Sequence, residues 1–204
     1  MSTPGTPDIP PNRWETGPKG TYAERFASLI AEGQDVDGEA RLADVLVARG
    51  ARILDAGSGM GRVGAALLAR GHDVTAVEKD PELVAESRRR YPALPVLESD
   101  LLALPDLHLG GPFDLVVLVG NVMVLLAPET EQRLLAAVRD RLAPGGRVLV
   151  GFHPQDGPTS ARPYPFEEFA ADAAAVGLRV LHRFGTYELG EHSDAYVVAV
   201  LASA

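Results

Sequence analysis

The sequence contains no cysteine, only two lysines (Lys19 and Lys79) and no long uninterrupted apolar run. The absence of cysteine excludes disulfides, thiolate metal sites and cysteine nucleophiles. The longest nearly apolar run, 115–127, is interrupted by Gly120 and Asn121 and is too short to cross a bilayer. No basic segment followed by an apolar one, the pattern of a secretory signal, is visible at the start. We therefore expect a soluble cytoplasmic protein without membrane contact.

Positive charge is also scarce: 19 lysines and arginines face 28 aspartates and glutamates, which gives a formal net charge of −9. An acidic surface repels phosphate backbones, so no nucleic-acid partner is expected. The arginine cluster 88–90 is interpreted as the solvated end of a helix. The five histidines lack the paired spacing of metal ligands, so no metal site is expected. The excess of arginine over lysine and the abundant alanine suggest a bacterial source.

What the chain has is an alternation of apolar strands and amphipathic helices behind a proline-rich start. Residues 1–20, with five prolines and three glycines, are predicted to be flexible. Residues 21–204 are predicted to form a single domain that begins with a helical cap at 21–50. Apolar residues at helical spacing predict a helix over 22–32, and Asp37 is expected to cap a second helix.

Beyond the cap, the alternation of strands and helices predicts a mostly parallel sheet with helices on both faces. The last two strands have no helix between them and should therefore pair antiparallel, as a hairpin at one edge. The predicted strands are 52–56, 73–78, 95–98, 113–119, 147–152, 178–184 and 195–201, and the helices between them are 61–70, 81–90, 128–142 and 166–176.

A glycine-rich turn links the first predicted strand to the helix after it, within ILDAGSGMGRVG at 53–64. Closely spaced glycines allow backbone N–H groups to approach a ligand, and the start of the helix favours negative charge there. The pattern Gly59-x-Gly61-x-x-Gly64 also matches the dinucleotide fingerprint, and Glu78 lies at a suitable distance for a ribose-binding acid. The turn alone therefore fits a nicotinamide dinucleotide and S-adenosylmethionine about equally.

Three features favour S-adenosylmethionine. Asp55 would crowd a dinucleotide pyrophosphate, whereas it suits a cationic ammonium group or the water bound to it. Asp100 follows the third strand, where a carboxylate can accept a hydrogen bond from an adenine amino group. The terminal hairpin is unusual for a dehydrogenase.

With these motifs the chain resembles the class I S-adenosylmethionine-dependent methyltransferases, over about residues 22–201. The resemblance implies an α/β fold, a Rossmann-like three-layer sandwich with a mostly parallel seven-stranded sheet and a C-terminal antiparallel hairpin, so that 21–204 would be one methyltransferase domain. The segments that carry it are ILDAGSGMGRVG (53–64), VTAVEKDPELV (74–84), VLESDLLAL (96–104), PFDLVVLVGNVMVLL (112–126) and LAPGGRVLVGF (142–152).

The resemblance also implies roles for individual residues. Gly57 and Gly59, with Ser58, would line the methionine part of the cofactor, and Asp55 would assist its ammonium group. Glu78, followed by Lys79, would hold the ribose hydroxyls, although aspartate is more frequent in the family at this position. Asp100 and the Leu101 backbone N–H would contact adenine, and Asn121 would face the methyl donor. This assignment gives the cofactor-binding set Asp55, Gly57, Ser58, Gly59, Glu78, Lys79, Asp100, Leu101 and Asn121.

A catalytic base is needed only if the nucleophile arrives protonated, because the sulfonium is itself electrophilic. The candidates are His153 after the fifth strand, His192 in the last loop, and Tyr22 and Glu39 in the helical cap. Trp14 and Tyr22 could form an aromatic lid.

The predicted activity is in-line transfer of a methyl group to a small-molecule acceptor. The alternatives are a non-catalytic S-adenosylmethionine-binding protein of the same fold and an NAD(P)-dependent oxidoreductase. No pattern in the sequence indicates an oligomeric state or the chemical nature of the accepting atom.

Overall fold

A computed structural model describes residues 9–17, 26, 28–29 and 31–204. In these ranges the strands are β1 (Arg52–Ala56), β2 (Asp73–Glu78), β3 (Val96–Glu98), β4 (Phe113–Leu118), β5 (Leu142–Phe152), β6 (Leu178–Phe184) and β7 (Val197–Ser203). The α-helices are α1 (Arg13–Thr16), α2 (Gly38–Val45), α3 (Arg62–Ala69), α4 (Pro81–Arg90), α5 (Glu131–Arg139) and α6 (Phe166–Ala175). Two 3-10 helices, Leu101–Asp106 and Val122–Leu125, follow β3 and β4.

The seven strands form one sheet in the order β3-β2-β1-β4-β5-β7-β6. Strands β1 to β5 are parallel, and Ile53 at the centre pairs with Val74 on one side and Leu115 on the other. Strand β7 lies between β5 and β6 and is antiparallel to both. The predicted mostly parallel seven-stranded sheet with a terminal antiparallel hairpin is therefore confirmed.

Helices cover both faces of the sheet, which is why the central strands are continuous apolar runs. On one face, α2 and α3 pack Leu42 and Leu67 against the sheet. On the other, α5 and α6 pack Leu134 and Phe169 against it. The two buried clusters and the sheet between them make the predicted three-layer sandwich.

Several predicted elements have boundaries that differ from those in the structure, among them α3, α5, β5 and β7, which is Val197–Ser203 rather than 195–201. Helix α3 begins at Arg62, because Gly61 adopts a left-handed conformation (φ 83°) that helical residues do not adopt. Helix α5 begins at Glu131 rather than at Pro128. Strand β5 begins at Leu142 rather than at residue 147, with an irregular register where it pairs with β4. The predicted helix over 22–32 falls mostly outside the described residues.

Helix α1 is a single turn within the segment predicted to be flexible. Asn12 and Glu15 close it with a capping box, in which each side chain accepts the backbone N–H of the other residue at 2.9 Å. Residues 9–17 thus have local structure of their own, whereas 1–8 and 18–20 lie outside the described residues. The division of the chain at residue 20 stays a prediction.

Candidate active site

The polar residues predicted to bind the cofactor lie at or just after the carboxyl ends of β1 to β4, which are all at one edge of the parallel sheet. A cavity of about 340 Å³ opens there, of the size that holds small ligands. Of the predicted cofactor-binding set, the cavity is lined by Gly57, Gly59, Glu78, Lys79, Asp100, Leu101 and Asn121. Of the predicted catalytic candidates, Glu39 and His153 line it.

The glycine turn after β1 forms the floor of this cavity. Gly57 and Gly59 have positive φ values of 78° and 56°, a conformation that favours glycine. A Cβ atom on Gly57 would also lie 2.6 Å from the side chain of Val122. Ser58 does not line the cavity, but its buried hydroxyl has no hydrogen-bond partner among the described residues. A buried polar atom without a partner is rare and fits a turn that a ligand completes.

Glu78, the last residue of β2, connects this turn to the next. Its Oε2 accepts the backbone N–H of Gly59 at 2.8 Å, and its Oε1 accepts those of Lys79 and Asp80 at 2.8 Å. Burial raises the pKa of Glu78, and these three hydrogen bonds oppose that rise. A carboxylate has about four lone-pair sites, so about one remains for a ligand hydroxyl.

Asp55 lies beneath the turn rather than in the cavity. Its Oδ2 accepts the backbone N–H of Gly64 in the first turns of α3 at 2.8 Å, and the side chain is buried. Burial raises the pKa of Asp55 to about 7, although the Gly64 N–H and the charge of Arg62 act in the opposite direction. Near neutral pH this carboxyl group therefore exists in both protonation states.

Asp100 and Lys79 form one side of the cavity. Oδ1 of Asp100 accepts the backbone N–H of Leu102 at 2.7 Å and so caps the 3-10 helix that follows. Oδ2 of Asp100 lies 2.9 Å from Nζ of Lys79, which also lies 2.5 Å from Glu15 in α1. The side chain of Asp100 is thus held in place from two directions.

The segment 9–17 crosses this side of the cavity. Nε1 of Trp14 donates to Oδ2 of Asp80 at 2.8 Å, and Asn12 and Trp14 both line the cavity. The guanidinium of Arg13 donates to the backbone oxygen of Leu126 and lines a separate surface pocket. Trp14 therefore lines the cavity, whereas Arg13 does not.

Arg62 is a cavity residue that the sequence patterns did not indicate. Its guanidinium donates to both carboxylate oxygens of Glu39, at 3.0 and 2.6 Å, and also to the backbone oxygen of Val36. The two side chains are only 8% and 15% exposed, so the pair is nearly buried. One signal was present, because a cation in the first turn of a helix opposes the helix dipole unless an anion pairs with it.

His153 and Asn121 lie together at the ends of β5 and β4. Oδ1 of Asn121 lies 2.9 Å from the backbone N of His153 and 3.1 Å from its Nδ1. The imidazole packs edge-on against Tyr196, with ring centroids 4.6 Å apart, and the hydroxyl of Tyr196 lies 2.9 Å from that of Tyr187. Tyr196 lines the cavity and, like Arg62, was not predicted.

Of the other two predicted catalytic candidates, one lies away from the cavity and one lies outside the described residues. His192 is exposed in the loop between β6 and β7 and does not line the cavity. Tyr22 lies outside the described residues. In the described part of the chain, no group of three or more His, Asp or Glu side chains could hold a metal ion, and no helix is long and apolar enough to cross a membrane.

Comparison with known proteins agrees with this geometry. A family model described as a methyltransferase domain matches residues 53–146. The solved structure of a TehB-like SAM-dependent methyltransferase from Corynebacterium glutamicum is 35% identical, with a TM-score of 0.81. That alignment covers 90% of this chain and 97% of that protein. The chain belongs to the S-adenosylmethionine-dependent methyltransferases.

Two curated methyltransferases match only in part. Ribosomal RNA small subunit methyltransferase A of Chlorobaculum parvum is 35% identical over 89 residues, which are 44% of this chain and 32% of that protein. Ribosomal RNA small subunit methyltransferase C of Chromohalobacter salexigens is 31% identical over 142 residues, which are 64% of this chain and 41% of that protein. The matched regions thus span 32% and 41% of the lengths of these two proteins.

Membership in the family makes S-adenosylmethionine the cofactor of this methyltransferase, and the cavity residues fit it. The left-handed Gly57 and Gly59 leave room for close approach, and Glu78 retains acceptor capacity. The cavity is lined by acidic as well as basic side chains, and S-adenosylmethionine carries both an ammonium and a carboxylate group.

Proposed function

We propose that this methyltransferase transfers the methyl group to a small-molecule acceptor by in-line displacement. The observation that carries the proposal is the continuity of the cavity from the glycine turn to His153 and Tyr196. Its described lining between these ends is largely apolar and aromatic, with contributions from Phe26, Val122 and Leu125. Such a lining excludes water and holds a small organic molecule in line with the donor.

The cofactor positions predicted from the sequence become part of this proposal. Gly57, Ser58 and Gly59 would surround the methionine part, with Asp55 acting on its ammonium group from beneath the turn. Glu78 would accept a ribose hydroxyl, with Lys79 beside it. Asp100 and Leu101 would contact adenine at Oδ2 and at the backbone N–H. Asn121 would stand at the methyl end, where β4 finishes.

The partial relatives named for ribosomal RNA make a nucleic-acid acceptor the second candidate. The negative charge of this chain disfavours a nucleic-acid acceptor, because RNA binding depends on a cationic surface and the formal net charge here is −9. The arginine cluster 88–90 lies in the last turn of α4, where cations stabilise the helix dipole. Arg89 and Arg90 also pair with Glu86, which reduces their availability to phosphate.

A labelling experiment separates the two acceptors. The purified protein is incubated with methyl-labelled S-adenosylmethionine and, in parallel, with a small-metabolite extract and with total RNA. The proposal predicts label in organic-soluble or low-mass products that depends on the protein, and none in RNA. Label in RNA alone would mean that the acceptor is a nucleic acid rather than a small molecule. Label in neither sample would contradict the proposed activity.

A further inference from the structure

The strongest observation beyond the cofactor site is the way Asn121 holds His153. Gly120 and Asn121 both have left-handed backbone conformations, with φ values of 73° and 76°. Asparagine tolerates this conformation better than most residues, but it is still uncommon outside glycine. The turn directs the Asn121 side chain onto the first residue after β5, where it meets both the backbone and the ring of His153.

These two contacts determine the tautomer of the ring. The backbone N–H of His153 can only donate, so the Asn121 atom 2.9 Å away from it must be the amide oxygen. The same oxygen lies 3.1 Å from Nδ1, and because an amide oxygen only accepts, Nδ1 carries the proton. In the neutral ring the lone pair is therefore on Nε2.

The ring of His153 lies in the cavity together with tyrosine and charged side chains. Tyr196 packs against it from the start of β7, and Tyr187 hydrogen-bonds to Tyr196 from behind. Burial raises the pKa of Tyr187 well above its usual value, so this hydroxyl stays protonated at neutral pH. The charged groups Glu39 and Arg62 line the same cavity as a closed ion pair.

We propose that His153 is the general base of the methyl transfer and that Asn121 is the positioning residue that keeps its Nε2 basic. The inference rests on the proposed function and narrows its substrate class to acceptors whose nucleophilic O–H or N–H arrives protonated. The acceptor's lone pair forms the new bond to the methyl carbon, and the pair of the carbon–sulfur bond moves to sulfur. The acceptor's proton passes to Nε2 of His153 and then to solvent.

The tautomer is tested without any acceptor, by nitrogen NMR of the protein labelled with ¹⁵N-histidine, with and without S-adenosylhomocysteine. His153→Asn identifies the resonance. We expect a neutral ring protonated at Nδ1, and we expect Asn121→Gly to lose this preference. Glycine suits the positive φ at position 121, so that variant removes the acceptor atom without adding backbone strain. A wild-type ring protonated at Nε2 would overturn the proposal.

The catalytic role is tested with an acceptor found by the labelling experiment. His153→Asn keeps an N–H for Asn121 but has no basic nitrogen, so we expect kcat to fall by roughly 10²–10⁴-fold while S-adenosylhomocysteine affinity changes little. Asn121→Asp should move the acid limb of the pH–rate profile to higher pH, because a carboxylate beside Nδ1 stabilises the imidazolium. His108→Asn, an exposed histidine outside the cavity, serves as the matched control.

An unchanged kcat in His153→Asn, or an unshifted acid limb in Asn121→Asp, would contradict the proposal. If the wild-type protein labels no acceptor, the proposed function fails, while the NMR experiment still decides how Asn121 holds His153. If transfer occurs but His153→Asn is fully active, only the assignment of the base fails. The two failures are therefore distinguishable.

Discussion

Oδ2 of Asp55, at the centre of the sheet, accepts the backbone N–H of Gly64 in α3 at 2.8 Å. This hydrogen bond joins β1 to the helix that begins after the glycine turn, and so fixes the turn between them. The space is tight, because a Cβ on Gly64 would lie 2.8 Å from the same oxygen. The carboxyl group is buried and its pKa is raised to about 7.

The raised pKa of Asp55 predicts an unusual pH dependence of stability. Between about pH 4 and pH 7 the folded protein keeps a proton that the unfolded chain, with a carboxyl pKa of 3.8, has released. The contribution of Asp55 to the free energy of unfolding is therefore greatest below pH 3.8. It decreases as the pH rises and is lost above about pH 7. The shift corresponds to at most about 4 kcal/mol.

Asp55→Asn is the control, because its amide is neutral at every pH and its oxygen can still accept from Gly64. Urea unfolding from pH 4 to pH 8 should show that wild-type stability falls relative to the variant across this window. Parallel curves for the two proteins would show that Asp55 does not titrate there.

We expect the contributions of Arg62 and Glu39 to the free energy of unfolding to be strongly coupled, because the two side chains form an ion pair. Removing one partner leaves the other charge nearly buried, so Arg62→Met or Glu39→Gln should each lower the free energy of unfolding by about 3 kcal/mol. The double variant should lose much less than the sum of the two. Denaturant unfolding of the four proteins measures this, and simply additive losses would mean that the pair is not coupled.

The fold was predictable because its signals are local. Apolar runs alternate with helical patterns, and Asp80-Pro81 indicates the start of α4 from two adjacent residues, which the structure confirms. The boundaries of β5 and α5 were less accurate. Strand β5 reaches back to Leu142 because that residue pairs with Phe113 of β4, which is distant in the sequence, and α5 begins only after Glu129, whose left-handed conformation no local pattern indicates.

Most of the cavity residues that the sequence indicated lie at or just after a strand end, and Glu39 and Trp14 were indicated as parts of the cap and lid. Glu78, Asp100 and His153 stand at strand ends, which parallel strands bring to one edge. Arg62 and Tyr196 were missed, because their roles depend on partners distant in the sequence, such as Glu39, 23 residues away from Arg62.

We expect the conservative change Glu78→Gln to lower the affinity for the cofactor. In Glu78→Gln, one carboxylate oxygen becomes an NH₂ group, so a backbone N–H or a ribose hydroxyl loses its acceptor. We expect S-adenosylhomocysteine to bind about 2 kcal/mol more weakly, by calorimetry.

The matched control for this variant is Glu82→Gln, an exposed residue in the first turn of α4. It should leave S-adenosylhomocysteine affinity unchanged. Equal affinities for wild type and Glu78→Gln would mean that Glu78 does not bind the ribose.

Trp14 is the only tryptophan in the chain, and it lines the cavity. Its fluorescence should therefore change when S-adenosylhomocysteine binds. Trp14→Phe should abolish the signal and weaken binding by about 1 kcal/mol, because the hydrogen bond to Asp80 is lost. A fluorescence signal that does not respond to the ligand at saturation would mean that segment 9–17 does not cover the cofactor.

The most direct test of the cofactor assignment is calorimetric titration of the purified protein with S-adenosylmethionine, S-adenosylhomocysteine and, separately, a nicotinamide dinucleotide. We expect micromolar binding of both sulfur compounds, with one site per chain, and no binding of the dinucleotide. Binding of the dinucleotide with no heat from either sulfur compound would contradict this assignment.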